Sequence, residues 1–201
     1  MWIPLLFIYF NAFWADVKSD AIPWKLVRDE SSIQVYTANV ENDAFKHIYA
    51  TAVLPASLEK VLDIIKNVNQ YKNWGYYCQK SELLLAKPNE IIFYYVSDVP
   101  WPLSKRDLVS QMLFHEISSN EVIIRSHQLD NYLPLQHNLV RIPQSNAVWH
   151  LKTMPNGFTR ATYTLQLNPG GNIPAWIVNQ FIAIGPFATL KKLQEIAAGK
   201  N

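Results

Sequence analysis

The stretch Asn168–Phe181, NPGGNIPAWIVNQF, sets Pro169-Gly170-Gly171 and a second proline, Pro174, directly before a strongly apolar helical run. Proline cannot donate to a β-ladder and glycine tolerates positive φ, so Pro169-Gly170-Gly171 ends a strand. Asn172 is a good N-cap, and Pro174 falls in the first turn, where its missing N–H leaves nothing unpaired. The spacing predicts one helix from there to about Ala198, stopped by Gly199. Ile173, Trp176, Ile177, Phe181, Ile184, Phe187 and Ala188 recur on one face at i, i+3, i+4 spacing. Past Gly185-Pro186 the stripe moves to Leu190, Leu193 and Ala197, while Lys191 and Glu195 take the angle that was apolar. Pro186 cannot donate to the carbonyl of Ile182, so a kink is expected there, with the two halves burying different sides.

Upstream, apolar and polar residues interleave as in half-buried strands over Ser32–Ala38 (SIQVYTA) and Phe45–Leu54 (FKHIYATAVL). Leu58, Val61, Leu62, Ile65 and Val68 then repeat at helical spacing behind Ser57, a candidate N-cap. Strand signals return over Gln79–Ala86, Glu90–Ser97, Asp107–Ile117, Glu121–Gln128, Asn146–Thr153 and Thr159–Leu167, with turns such as KPNE, SSNE and MPNG between them. This order makes an α+β fold, a meandering antiparallel sheet with helices at its two ends.

At 201 residues, with no internal repeat and no Pro/Gly/Ser linker, the chain reads as one domain. Hydrophobic residues make up 49% and charged residues 17%, more interior than average, in a core or around a cavity. A net charge of +2, with no run of Lys or Arg longer than two residues, sets nucleic acid aside. The single cysteine, Cys78, excludes an internal disulfide framework and reads as a small buried hydrophobe. The N-terminal run MWIPLLFIYFNAFWA has no charge until Asp16 and is too short to span a bilayer. It suits the apolar region of a secretory signal cleaved near Ala15, although no Lys or Arg precedes it. That leaves one domain over residues 16–201, with a secreted or periplasmic location expected.

Chemistry has no nominee. There is no G-x-S-x-G, no G-x-G-x-x-G and no phosphate-binding loop, and the histidines His47, His115, His127, His137 and His150 lack metal-ligand spacing. No catalytic residue, metal or cofactor is therefore expected. What remains is large apolar side chains alternating with polar ones: Ala161, Tyr163, Leu165 and Leu167 on one strand, Ala147, Trp149 and Leu151 on another. They are core or cavity wall, and periodicity cannot distinguish the two. On pattern alone, a plain amphipathic helix over a solid core is favoured over a lid.

WKLVRDESSIQVYTA near the start, VPWPLSKRDLV at Val99–Val109, NPGGNIPAWIVNQF, and GPFATLKKL after it together resemble the START family. These are the steroidogenic-acute-regulatory-related lipid-transfer domains, and the likeness is closest to secreted bacterial members, over about Trp24–Ala198. The resemblance implies a helix-grip fold: a curved antiparallel sheet wrapped around a long C-terminal helix, with a tunnel between them for one hydrophobic ligand. It also tips the lid question toward a cavity. Some sterol-binding members carry an arginine in the tunnel, on the strand after the Arg-Asp pair. The matching strand here, Leu108–Phe114, has no cation and holds Met112 at that place, so a neutral ligand is expected.

The expected activity is non-enzymatic binding, and transfer, of a lipid, a sterol-like compound or another neutral apolar molecule. The expected protein is a monomer that touches membrane surfaces transiently. The competing expectation is a helix-grip enzyme, a cyclase or hydrolase of hydrophobic substrates. Phe93, Tyr95, Met112, Ile124, Trp149 and Tyr163 are expected on the wall, with Trp176, Ile177, Phe181 and Ile184 opposite. Arg106 and Asp107, adjacent on a strand and so facing opposite sides, are each expected to have a separate partner.

Overall fold

A computed structural model describes residues 22–98 and 104–200. The expected leader Met1–Ala15 and the Val99–Leu103 part of the Trp-Pro segment lie outside the described residues. Within them, β1 (Lys25–Glu30), β2 (Ile33–Ala38) and β3 (His47–Leu54) precede α1 (Leu58–Lys66) and a 3₁₀ turn at Val68–Asn73. Then come β4 (Cys78–Lys87), β5 (Glu90–Ser97), β6 (Arg106–Ser118), β7 (Glu121–Gln128), β8 (Val140–Arg141), β9 (Gln144–Thr153) and β10 (Thr159–Asn168). The chain closes with α2 (Ala175–Phe181) and α3 (Ile184–Ala197).

The strands form one sheet in the order β1-β2-β3-β10-β9-β7-β6-β5-β4, antiparallel throughout, with the short β8 added parallel to β6. The sheet curves around the C-terminal helices, so the α+β helix-grip expectation holds. Ser57 caps α1 as expected, its hydroxyl accepting from the Lys60 N–H at 3.4 Å. Two strands were not anticipated. β1 is exposed at all six positions, so it offers no alternation to read, and it returns into β2 through Ser31 and Ser32, both at positive φ. β8 is two residues long, too short for any periodic signal.

The inner face of the sheet carries the main core, in which Ile48, Leu54, Leu151 and Ala161 pack with Val61 and Ile65 of α1 and Leu190, Leu193 and Ala197 of α3. On the outer face Ile92, Tyr94, Val96 and Val109 of β5 and β6 pack with Leu129, Leu133 and Leu139, and Trp24 packs on Tyr49 of β3. That cover explains why β5 is buried on both faces and alternates poorly.

The expected single helix is two. α2 starts after Pro174 rather than Asn172, and the chain breaks at Ile182-Ala183. Pro186 is the third residue of α3, in the turn where backbone N–H groups have no intrahelical partner, so the proline is accommodated by restarting the helix rather than by kinking it. Gly170 and Gly171 adopt φ of +68° and +71°, as the turn requires. Gly170 is needed twice over, because a Cβ there would lie 2.9 Å from Pro143 Cδ and 3.0 Å from the Arg141 carbonyl.

Candidate functional site

Between the inner sheet face and the α2–α3 segment lies a cavity of about 400 Å³. Strand register decides what lines it. Inward positions of β6 run Arg106, Leu108, Ser110, Met112, and the neighbouring strands add Ser97, Tyr95 and Phe93 from β5, Ser126 from β7, and Ser145, Ala147 and Trp149 from β9. Arg106 and Ser97 therefore stand at one end of the wall, and further along it serines alternate with Tyr95, Phe93, Met112 and Trp149. There Trp149 and Tyr163 stack with ring centroids 4.4 Å apart, and Tyr71 meets Phe93 at 5.4 Å and Trp74 at 4.5 Å. Trp74 Nε1 is buried there without a hydrogen-bond partner.

Of the residues expected on the wall, Phe93, Tyr95, Met112, Trp149 and Tyr163 line the cavity, with Ile177 and Phe181 opposite. Three do not. Ile124 is fully buried in the core, flanked in register by the larger side chains of Phe114 and Trp149. Trp176 points outward, 69% exposed. The inward stripe of α2 is Ile177, Val178, Phe181 and Ile182, whose centre at about 100° per residue falls nearly opposite Trp176. Ile184, 40% exposed, belongs to α3, whose buried stripe of Pro186, Phe187, Leu190, Leu193 and Ala197 is rotated well away from it. Both misplacements follow from treating two helices as one.

The sequence reading missed Tyr71, Trp74 and Arg106 on the wall. Counting back by twos from Met112 would have reached Arg106, whereas the aromatic YKNWGYY segment has no period that marks an inward face.

Arg106 and Asp107 are both buried, at 5% and 1% exposure, and as expected they hold separate partners. Asp107 faces the outer cluster and accepts from Arg141 Nε and Nη2, each at 2.9 Å, and from the Tyr94 hydroxyl at 3.0 Å. The hydrogen bonds from Arg141 to Asp107, with the carboxylate's charge, raise the guanidinium pKa. Burial, reinforced by Asp107, pushes the Tyr94 phenol up to about 12. Arg106 faces the cavity instead. Its Nε donates to the Pro169 carbonyl at 3.3 Å and its Nη1 to the Ser104 carbonyl, tying the strand to the turn at Pro169. Burial lowers its pKa. The phenols of Tyr71, Tyr95 and Tyr163 are shifted up by burial and stay protonated at neutral pH.

The α2–α3 segment closes the cavity through few fixed contacts. No residue of α2 is buried. Asn179 ties it to the loop before β3, accepting from the Lys46 N–H at 2.8 Å and donating to the Ala44 carbonyl at 3.0 Å. Further on, Thr189 accepts from the Tyr76 N–H at 3.1 Å, and the Tyr76 carbonyl accepts from the Tyr95 hydroxyl at 3.1 Å.

Known proteins share this architecture. The crystal structure of a STAR-related lipid transfer protein from Xanthomonas axonopodis matches with a TM-score of 0.82 at 31% identity, covering 87% of this chain and 98% of that one. An uncharacterized protein of Pseudomonas aeruginosa is 28% identical over 174 residues, 87% of this chain and 86% of that protein. Phosphatidylcholine transfer protein of Rattus norvegicus is 22% identical over 163 residues, 78% of this chain and 75% of that protein. A family model described as START domain matches residues 8–197, and the chain belongs to that family.

Proposed function

We propose that the protein binds one lipid in the cavity and hands it on chemically unchanged. The observation that carries this reading is an apolar cavity closed by a helix that buries no residue of its own. Its volume lies within the range of small-ligand sites, and burial of apolar ligand surface there contributes roughly 25 cal/mol per Å². That the Xanthomonas and rat proteins are named as lipid transfer proteins supports the same reading. Reading the protein as a carrier rather than a cyclase or hydrolase is supported by the wall's titratable groups. Among the described wall residues, burial holds Tyr71, Tyr76, Tyr95 and Tyr163 as neutral hydroxyls and Arg106 is a cation, so none serves as a general base at neutral pH. The exposed Trp176 and Phe181 on the closing helix suit transient contact with a membrane surface during exchange.

Native mass spectrometry of purified protein, followed by lipid extraction, tests the binding. Ala147 lines the cavity and faces Leu165 across β10, so Ala147→Trp projects an indole into the space. Lipid uptake is expected to fall at least about tenfold with the fold intact by circular dichroism, because a filled site forfeits the burial energy. Unchanged uptake would place the ligand elsewhere, and release of a modified product from the parent protein would favour the enzyme.

We also propose that the protein works outside the cytoplasm, a reading that rests on the charge-free run ending near Ala15. Intact-mass measurement on protein from its native host should give a chain beginning near Asp16. A full-length cytoplasmic product sinks that part of the proposal.

A further inference from the structure

Buried Arg106 on the cavity side of the sheet and half-buried Arg141 on its outer side are held differently. Arg141 meets Asp107 through two 2.9 Å bonds. Arg106, 5% exposed, is held among the described residues by two carbonyls, and its Nη2 takes part in neither bond. Carbonyl dipoles hold a guanidinium in place but do not neutralise it, and a buried charge without a counter-ion is costly. Among the described residues no carboxylate pairs with Arg106, and the depression of its pKa has burial as its cause.

The surroundings of that charge are not the surroundings of a structural cation either. Ser97 sits directly opposite Arg106 on β5, while Ser110 and Ser126 lie further along the same wall, opposite Phe93 and Met112. Ser110 and Ser126 bond to each other at 2.7 Å, and Ser110 also donates to the His127 carbonyl. A buried cation with a free Nη2 and one hydroxyl beside it, at the edge of an otherwise apolar space, makes a receptor with one positive pole.

We propose that this pole is a subsite for one negatively charged group of the ligand, a phosphate or a carboxylate. The ligand is then an anionic amphiphile, with its charge against Arg106 and its chain toward Phe93, Met112, Trp149 and Tyr163. The inference rests on the lipid-binding reading above and goes beyond it by setting the ligand's charge and direction. It also reverses the expectation of a neutral ligand, which considered Leu108–Phe114 and stopped one inward position short of Arg106. A neutral lipid would leave the guanidinium unpaired, whereas an anion against its Nη2 in a water-poor space gains a charge-assisted contact.

The test uses four chain-matched probes, each below its micelle concentration: dodecyl phosphate, laurate, dodecanol and dodecyltrimethylammonium, titrated calorimetrically into the full protein. The two anions should bind about ten- to a hundredfold more tightly than dodecanol, and the cation more weakly than dodecanol. In Arg106→Met the ten- to hundredfold advantage of the anions over dodecanol should vanish. Arg106→Gln, which can still donate to the Pro169 carbonyl, should behave the same way and serves if the methionine variant does not fold. Equal affinity for all four probes in the parent protein overturns the proposal, as does an anion preference that survives both substitutions. Inorganic phosphate alone is the remaining arm. If it competes with dodecyl phosphate as well as laurate does, the site takes a free anion and the amphiphile reading fails. If none of the four chains binds, the lipid-binding reading itself has failed.

Discussion

Asp107→Ala is expected to destabilise the protein by about 3 kcal/mol, the lower end for a broken buried ion pair because Arg141 keeps 15% side-chain exposure. For a chain of this size that lowers the melting temperature by about 10 °C. The cost arises from what is left behind. Arg141 loses the acceptor of two hydrogen bonds and keeps only the carbonyls of Leu133 and Pro134, at 3.3 and 3.2 Å. The Tyr94 hydroxyl is orphaned on the same outer face. The effect should reach the site, because β8 pairs with β6 through Arg106 and Asp107 and carries Val140 and Arg141 against Gly170. Loosening β8 therefore frees the turn whose Pro169 carbonyl holds Arg106. Thermal unfolding of Asp107→Ala and of Asp107→Ala/Arg141→Leu separates the contributions. Removing both charges should recover part of the loss, since the uncompensated guanidinium is gone. A drop of less than about 1 kcal/mol for Asp107→Ala would mean that the pair behaves as a surface contact.

The second large effect is kinetic. Pro186→Ala restores a backbone N–H that can donate to the Ile182 carbonyl and removes a residue disfavoured by about 3 kcal/mol inside a helix. α2 and α3 should then join into one helix across Ile182-Ala183. If the break lets α2 lift while α3 stays packed on the core, lipid exchange between vesicles should slow by about tenfold or more, with the amount bound at equilibrium little changed. Gly185 is left alone in this variant, because a Cβ there would come within 3.1 Å of the Tyr76 ring and disturb a second contact. Exchange as fast as in the parent protein would mean that the break only fits the helices to the curved sheet.

How much of this was legible beforehand differs between elements, for physical reasons. β5, β7, β9 and β10 were readable because each carries β-branched or aromatic residues between turn residues, a local signal. The Pro169-Gly170-Gly171 turn was readable for the same reason: positive φ at Gly170 and Gly171 is a property of glycine itself. β1 was not, because an exposed edge strand exists only through the partner it pairs with. The split of the C-terminal helix lay in between. Pro186 announced an interruption, but a proline satisfies its geometry either by kinking a helix or by standing in the first turn of a new one. Packing chose the second.

The site divides along the same line. Alternation put Trp149 and Tyr163 on one face of the sheet from the sequence alone, and the same fixed period of two placed Phe93, Tyr95 and Met112 on strands that alternate less cleanly. The sequence also determined the α+β class, the strand–helix order and, through its Trp-Pro, Arg-Asp and Pro-Gly-Gly segments, the family. Whether that face met a solid core or an empty space was decided by how far α2 stands from the sheet, a distance no periodicity encodes. Tertiary structure likewise decided the fates of the adjacent Arg106 and Asp107. Their opposite directions follow from the strand, but Asp107 found Arg141 because the loop before β9 folds over the outer face, and Arg106 was left with carbonyls because the inner face at that point is open. Charge compensation depends on through-space neighbours thirty or more residues apart in the chain, and those exist only once the sheet has closed around its helices.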